Sequence, residues 1–166
     1  RAGALGLPVA IAIIGGEYPR FAPLLQLYHE AARRAGQDPA KLKSSINVHG
    51  FIADTTEKAA DQFYGPQAAV MDRLGRERGW GPTSRAQFDA ARGPTGNLFV
   101  GDPELVAEKI VAAHKVFGND RFLLQMAIGL MPHHEIMRGI ELYGTKVAPL
   151  VRKELTGSAD GAKPAA

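Results

Sequence analysis

The 166 residues contain no cysteine, which excludes a disulfide-stapled scaffold, a zinc–thiolate site and a thiol nucleophile together. Long apolar runs are missing as well. None approaches the ~20 residues that cross a bilayer, and the chain does not open on the charged and apolar segments of a secretory leader. Basic blocks are also lacking: the net charge is +3, from 20 Lys and Arg against 17 Asp and Glu. The densest cationic stretch, Arg73, Arg76 and Arg78, has Asp72 and Glu77 among it. A nucleic-acid surface needs a clustered basic footprint, and this is not one. No internal repeat is sustained. What is present, 45% hydrophobic and 22% charged residues, is the composition of a soluble globular protein with room for one core. The chain starts with Arg1, and Arg1 to Gly6 reads like the last turn of a helix. The expectation is a piece of a longer cytoplasmic protein.

Val9 to Ile14 is apolar at every position, the pattern of a strand buried on both faces in a parallel sheet. Gly15-Gly16 ends it. Phe21, Leu24, Leu25, Tyr28 and Ala32 then recur at helical spacing, with Gly36 at the left-handed C′ position and Pro39 beyond. A second strand is expected over Ser45 to Ala53. Asp54 follows as an N-cap with Glu57 three residues on, a capping-box pattern. Ala59, Phe63, Val70 and Leu74 give the core side of a long helix, which Gly65-Pro66 should kink or split.

From Gly79 to Val100 the pattern is irregular, with Trp80, Pro82, Gly93, Pro94 and Gly96, and helical character only around Ser84 to Ala91. Loops of that length are usually functional or mobile. Asp102-Pro103-Glu104 starts another helix, with Asp at N-cap and Pro at N1. Its stripe is Val106, Ile110, Ala113 and Phe117, and Gly118 closes it. Arg121 to Ile128 is the third strand. Ile136, Ile140, Tyr143, Val147 and Leu150 mark the last helix, and Thr156 to Ala166 reads as a flexible tail. Strands alternating with helices indicate a parallel sheet. Such a pattern closes into an eight-stranded barrel only with about five more units, so the expected fold is the C-terminal portion of a (β/α)8 TIM barrel. It holds about three βα units and a long inserted segment.

Among residues that could carry chemistry, His133-His134-Glu135 lacks the i,i+4 spacing of a helical metal site. A solvated helix start explains it, and no metal is expected. His49 lies in a strand among Val48, Phe51 and Ile52, near the end where barrel active sites form. It is read either as a catalytic candidate or as a hydrogen-bonded interior histidine. Gly15-Gly16 and Gly93 with Gly96 lack the phosphate-loop spacing. Gln125, on the third strand with Met126 and Arg121, suits either a ligand contact or a bond to a neighbouring element. Trp80, Arg85 and Arg92 decorate the irregular segment, which is a lid over an anionic ligand or a surface excursion.

Several words of the sequence resemble one family, the bacterial luciferase-like flavin-dependent oxidoreductases. They are Gly6-Leu7-Pro8, Leu27-Tyr28 with Gly36-x-Asp38, Gly101-Asp102-Pro103-Glu104 with Val106-Ala107-Glu108-Lys109, Gly118-x-Asp120-Arg121-Phe122, and Glu141-Leu142-Tyr143 with Val147-Ala148-Pro149. The resemblance covers residues 1–155. It implies an eight-stranded barrel that binds FMN, or alternatively the deazaflavin F420, at the C-terminal ends of its strands. The reduced flavin passes electrons to oxygen, as in a monooxygenase, or to a small organic acceptor, and a flavin reductase is a possible partner. The resemblance places the phosphate-holding residues upstream of Arg1. It leaves Ile13, Ile14 and Gly15 as the strand end that backs the flavin ring, with an aliphatic residue where the family often has an aromatic. Trp80, Arg92 and Gln125 are the substrate or lid candidates, and the segment Gly79 to Val100 is similar to the family's insertion. The expected activity belongs to the intact parent, with the fragment alone inactive and self-associating. A non-catalytic barrel relative or partner subunit is the alternative.

Overall fold

The computed structural model describes residues 1–159. Four parallel strands form one sheet: β1 (Val9–Ile13), β2 (Ser44–Ile52), β3 (Leu98–Gly101) and β4 (Arg121–Gln125). Ser45 to Val48 of β2 pair with Ala10 to Ile13 on one edge and with Arg121 to Leu124 on the other. The three strands expected from the sequence are therefore direct neighbours in the order β1-β2-β4. His49 pairs with Gln125 on the β4 edge and with Leu98 on the other, so the short β3 continues the β1 edge beyond the end of β1. A bridge between Glu17 and Gly96 joins the two segments there. That bridge is antiparallel, but every pairing between the strands is parallel, so the C-terminal ends of β1, β2 and β4 lie at one end of the sheet.

α1 (Ala22–Arg34), α4 (Pro103–Phe117) and α6 (Ala148–Ala159) cover one face. Their core contains Ile11, Ile13, Ile46, Val48 and Ile52 from the strands and Leu25, Ala32, Val106, Ile110 and Phe117 from the helices. α1 connects β1 to β2 and α4 leads into β4. With strand order running one way, right-handed crossovers put both helices on the same side. Asp102 caps α4 through Leu105 N (2.8 Å), and Gly118 at φ 61° closes it, as the sequence indicated.

The other face is covered only towards the strand ends. There α2 (Thr56–Arg78) and α3 (Arg85–Ala91) bring Ala59, Ala60, Phe63 and Phe88 onto Phe51, Ala53, Leu98, Val100 and Met126. Phe51 and Phe63 stack with ring centroids 5.7 Å apart. The inserted segment therefore begins at α2, at Thr56, and ends with β3; the crossover helix of the second unit is α4, not α2. Pairing of β3 with β2 was not foreseen, because four apolar residues after a glycine-rich turn carry no periodicity of their own.

The remaining differences are local. β1 alternates rather than being buried on both faces: Ala10 and Ala12 are exposed because nothing covers their side. Thr55, not Asp54, caps α2, accepting from Lys58 N (3.2 Å); Asp54 instead pairs with Arg138 (2.7 Å) and Lys58 (3.1 Å). α2 is not split at Pro66. The Pro66 backbone lies against Gly129, where any side chain would collide. β4 stops at Gln125, short of Ile128. α5 (His133–Leu142) runs into α6 through a π turn at Tyr143–Val147, a local widening of the helix. α6 extends through Ala159, so the first part of the expected tail is helical, and residues 160–166 lie outside the described residues.

Candidate functional site

Register partners in a parallel ladder stand side by side and point to one face. Ser45, Asn47 and His49 of β2 thus share a face with Ala10 and Ala12 of β1 and with Arg121, Leu123 and Gln125 of β4. This is the open face. Small residues line it on the β1 side, polar ones run along β2, and the insert closes it beyond His49. His49 and Gln125, singled out separately in the sequence, are direct register partners at the strand ends.

His49 is 8% exposed, and its Nδ1 is fully buried without a hydrogen-bond partner. Burial pushes its pKa below 6.5, and no carboxylate opposes that shift. The ring is neutral at physiological pH. None of the described residues hydrogen-bonds this ring. Gln125 is exposed, and its amide has no partner among the described residues either.

The other candidates lie elsewhere. Ile13 is wholly buried on the helix-covered face, so only its backbone borders the strand end; Ile14 and Gly15 are exposed there. Trp80, 51% exposed, follows α2 with the Arg78 guanidinium 5.3 Å above its ring. Arg92 pairs with Asp89 (3.0 Å) and covers Phe88, while Arg85 spans Asp61 (2.9 Å) and Asp89 (3.1 Å). Both arginines are thus held in ion pairs. Among the described residues no cluster of His, Asp and Glu could hold a metal, and no helix is long and apolar enough to cross a membrane.

Lys109, within one of the resemblance words but not a candidate, is buried, at 7% exposure. Its Nζ donates to the carbonyls of Arg92 (3.1 Å), Gly93 (2.6 Å) and Leu98 (2.7 Å), and lies 4.8 Å from the Phe99 ring centroid. It fastens the end of the insert to α4. Burial and the nearby Arg92 push its pKa from 10.5 down to about 7.

A flavin would find a partial fit. The open strip of Ala10, Ala12 and Ser45 leaves room beside the strands, and the unpaired His49 and Gln125 suit the neutral polar edge of its ring. The phosphate finds no such place. Lys58 and Arg138 beyond the end of β2 are engaged by Asp54, and α4 opens with Asp102 and Glu104, which repel an anion from that helix N-terminus. A cavity of about 830 Å³ lies at the opposite end of the strands, between Val9, Ser44 and Arg121.

No protein-family model matches the sequence, and no curated protein matches it. Solved structures do. The monooxygenase RslO1 from Streptomyces bottropensis superposes with a TM-score of 0.68 at 23% identity, over 89% of this chain and 43% of that one. The oxygenating constituent of 3,6-diketocamphane monooxygenase from Pseudomonas putida, in complex with FMN, gives 0.63 at 20% identity, over 90% and 44%. The coenzyme F420-dependent tetrahydromethanopterin reductase from Methanopyrus kandleri gives 0.58 at 21%, over 89% and 46%. The chain spans less than half the length of each. The chain has the fold of part of these monooxygenases and of the F420-dependent reductase.

Proposed function

We propose that residues 1–155 are the C-terminal part of a (β/α)8 barrel whose parent is a flavin-dependent oxidoreductase, a monooxygenase using reduced FMN and oxygen on a small organic substrate. One observation carries this reading. Three neighbouring parallel strands bring an unpaired, buried histidine and an unpaired glutamine together at their C-terminal ends, where barrel enzymes build their sites. The likeness to an FMN-complexed monooxygenase and to an F420-dependent reductase supports the class of chemistry.

When bound, reduced flavin supplies the electrons that the protein's own side chains cannot. The part of this chain is to form one wall. Ile14 and Gly15 border the ring at the end of β1, His49 and Gln125 offer neutral hydrogen bonds, and the insert from α2 to β3 keeps water from the strand ends. The parent is a cytoplasmic enzyme that draws reduced flavin from a reductase and assembles as a homo-oligomer.

FMN and F420 titrations of the parent, followed by flavin absorbance and fluorescence, test this. Micromolar FMN binding with substrate-dependent oxygen uptake is the expected result. Preference for F420 without oxygen uptake would make it a hydride-transfer enzyme, and binding of neither would leave a non-catalytic relative. The 166-residue chain alone should bind FMN more weakly than micromolar, because the missing phosphate contacts are worth roughly 1.5–3 kcal/mol each. It should also self-associate in sedimentation, since among the described residues β1 and β4 each keep an unpaired edge.

A further inference from the structure

A buried polar atom in a folded protein normally has a partner, and leaving it without one is destabilising. The Nδ1 of His49 has none, and nothing among the described residues bonds any other atom of this ring. The position of the ring explains why the chain itself does not satisfy it. On one side Leu98 pairs in register, and Phe51, two residues on, lies in the apolar cluster under the insert. On the other side Gln125 pairs in register and is open. His49 thus stands on the boundary between an apolar roof and a polar strip, and its only polar neighbour in the register is an equally unpaired amide.

We propose that His49 and Gln125 together hold a neutral group that presents a carbonyl oxygen beside an N–H or O–H, such as a cyclic amide or imide. An imidazole with one N–H and one bare nitrogen, next to a carboxamide, offers two kinds of donor and two kinds of acceptor in one plane of the sheet. It offers no charge. A phosphate or carboxylate would meet no cation in the pair, whereas a lactam or imide satisfies both side chains at once. That chemistry has two sources in the reading above: the pyrimidine edge of the flavin, or an organic substrate bearing an amide or hydroxy-ketone. The inference rests on that reading only for the choice of FMN as a probe.

The test is ¹⁵N NMR of the full 166-residue chain, following the His49 ring nitrogens and the Gln125 side-chain amide. The probes are 2-piperidone, FMN and inorganic phosphate, each taken to millimolar. Saturable movement of both residues' signals together, with FMN or with 2-piperidone, is expected, and which probe moves them assigns the source. Phosphate should move neither. His49→Phe and Gln125→Leu should each weaken the active probe's binding roughly fivefold, the worth of one neutral hydrogen bond. The unsubstituted chain keeps the test decisive if either variant fails to fold. Stationary signals with both neutral probes would overturn the proposal, as would a larger response to phosphate. If FMN binds while neither it nor 2-piperidone moves the His49 and Gln125 signals, the proposal fails and the flavin reading stands.

Discussion

On one face of β2, Ile46, Val48 and Ile52 are wholly buried against the helices, whereas the other face changes character along its length. It begins with Ser45, Asn47 and His49 and turns apolar at Phe51, where the insert comes down. The first face is uniform because a continuous helix layer removes it from water. The second is mixed because only its end has a cover of its own. A strand whose residues are nearly all buried need not have two equivalent faces: on one, burial is done by packing; on the other, a polar row is left beside the insert.

Substitution on each face tests that difference most directly. Ile46→Ala should cost about 2–5 kcal/mol in urea unfolding, the usual result of opening a cavity in a packed core. Leu123→Ala, on the open face and 42% exposed, should stay within about 0.5 kcal/mol. Equal costs would mean that the second face is packed after all. Next in size is Lys109→Met, which leaves three buried carbonyls without their donor and should cost about 2–4 kcal/mol. This lysine also gives stability a pH dependence. Its folded pKa of about 7 lies below 10.5, so the unfolded chain binds more protons between those values. The contribution is full above about pH 10.5 and is lost as pH falls towards 7. Lys109→Met should therefore flatten the unfolding curve over pH 7–10.5; an unchanged slope would show that the amine is not desolvated in the way its burial implies.

The helix-covered half of the fold was legible in the sequence because periodicity reports a one-sided environment. The stripes of α1 and α4, the Asp102 cap, the Gly118 stop and the three neighbouring strands all follow from it. The insert was legible only in pieces. Phe63 and Phe88 look like core residues of ordinary helices, and nothing local says that they pack on the face opposite α1 and α4. Asp54 fits a capping box, but Arg138, 84 residues away, takes its carboxylate and leaves Thr55 to cap. At the site, His49 and Gln125 could be named as residue types in strands. That they are register partners without internal bonds is a property of the β2–β4 pairing, which no short window contains. Lys109 escaped notice because a lysine in a helix reads as solvated, and its three acceptors come from the far end of the insert.

A smaller effect is expected at the start of the strands. Asp120 accepts from Lys43 Nζ (2.7 Å) and Ser44 N (2.9 Å), tying the approach to β4 to β2. These bonds hold its carboxyl below the usual carboxylate range. Asp120→Asn should cost only about 1 kcal/mol near neutral pH, since the side chain is 36% exposed and its ion pair is screened. The contribution is present above the unfolded pKa of 3.8 and disappears as pH falls through the lower native value. A difference between Asp120→Asn and the unsubstituted chain that persists unchanged to pH 2 would contradict this.

The smallest effect concerns local opening within the insert. The sequence marks all of Gly79 to Val100 as irregular, but the structure anchors most of it. Thr83 N donates to Asp72 (2.7 Å), Tyr64 donates to the Thr83 carbonyl (3.2 Å), and Ser84 and Gln87 close a capping box at the start of α3. From Arg92 onward Lys109 holds the carbonyls. What remains is the tip around Trp80 to Pro82, where an exposed indole and two turn residues meet few partners. Amide hydrogen exchange should therefore be fast at Gly81 and slower by about tenfold or more at Phe88 and Arg92, with α1 more protected still. Rapid exchange throughout 79–100 would restore the picture of a mobile lid and weaken the role given to Lys109. Protection of Gly81 equal to that in α1 would mean that the insert is as rigid as the helix layer it faces across the sheet, and the contrast between the two faces would then be one of polarity alone.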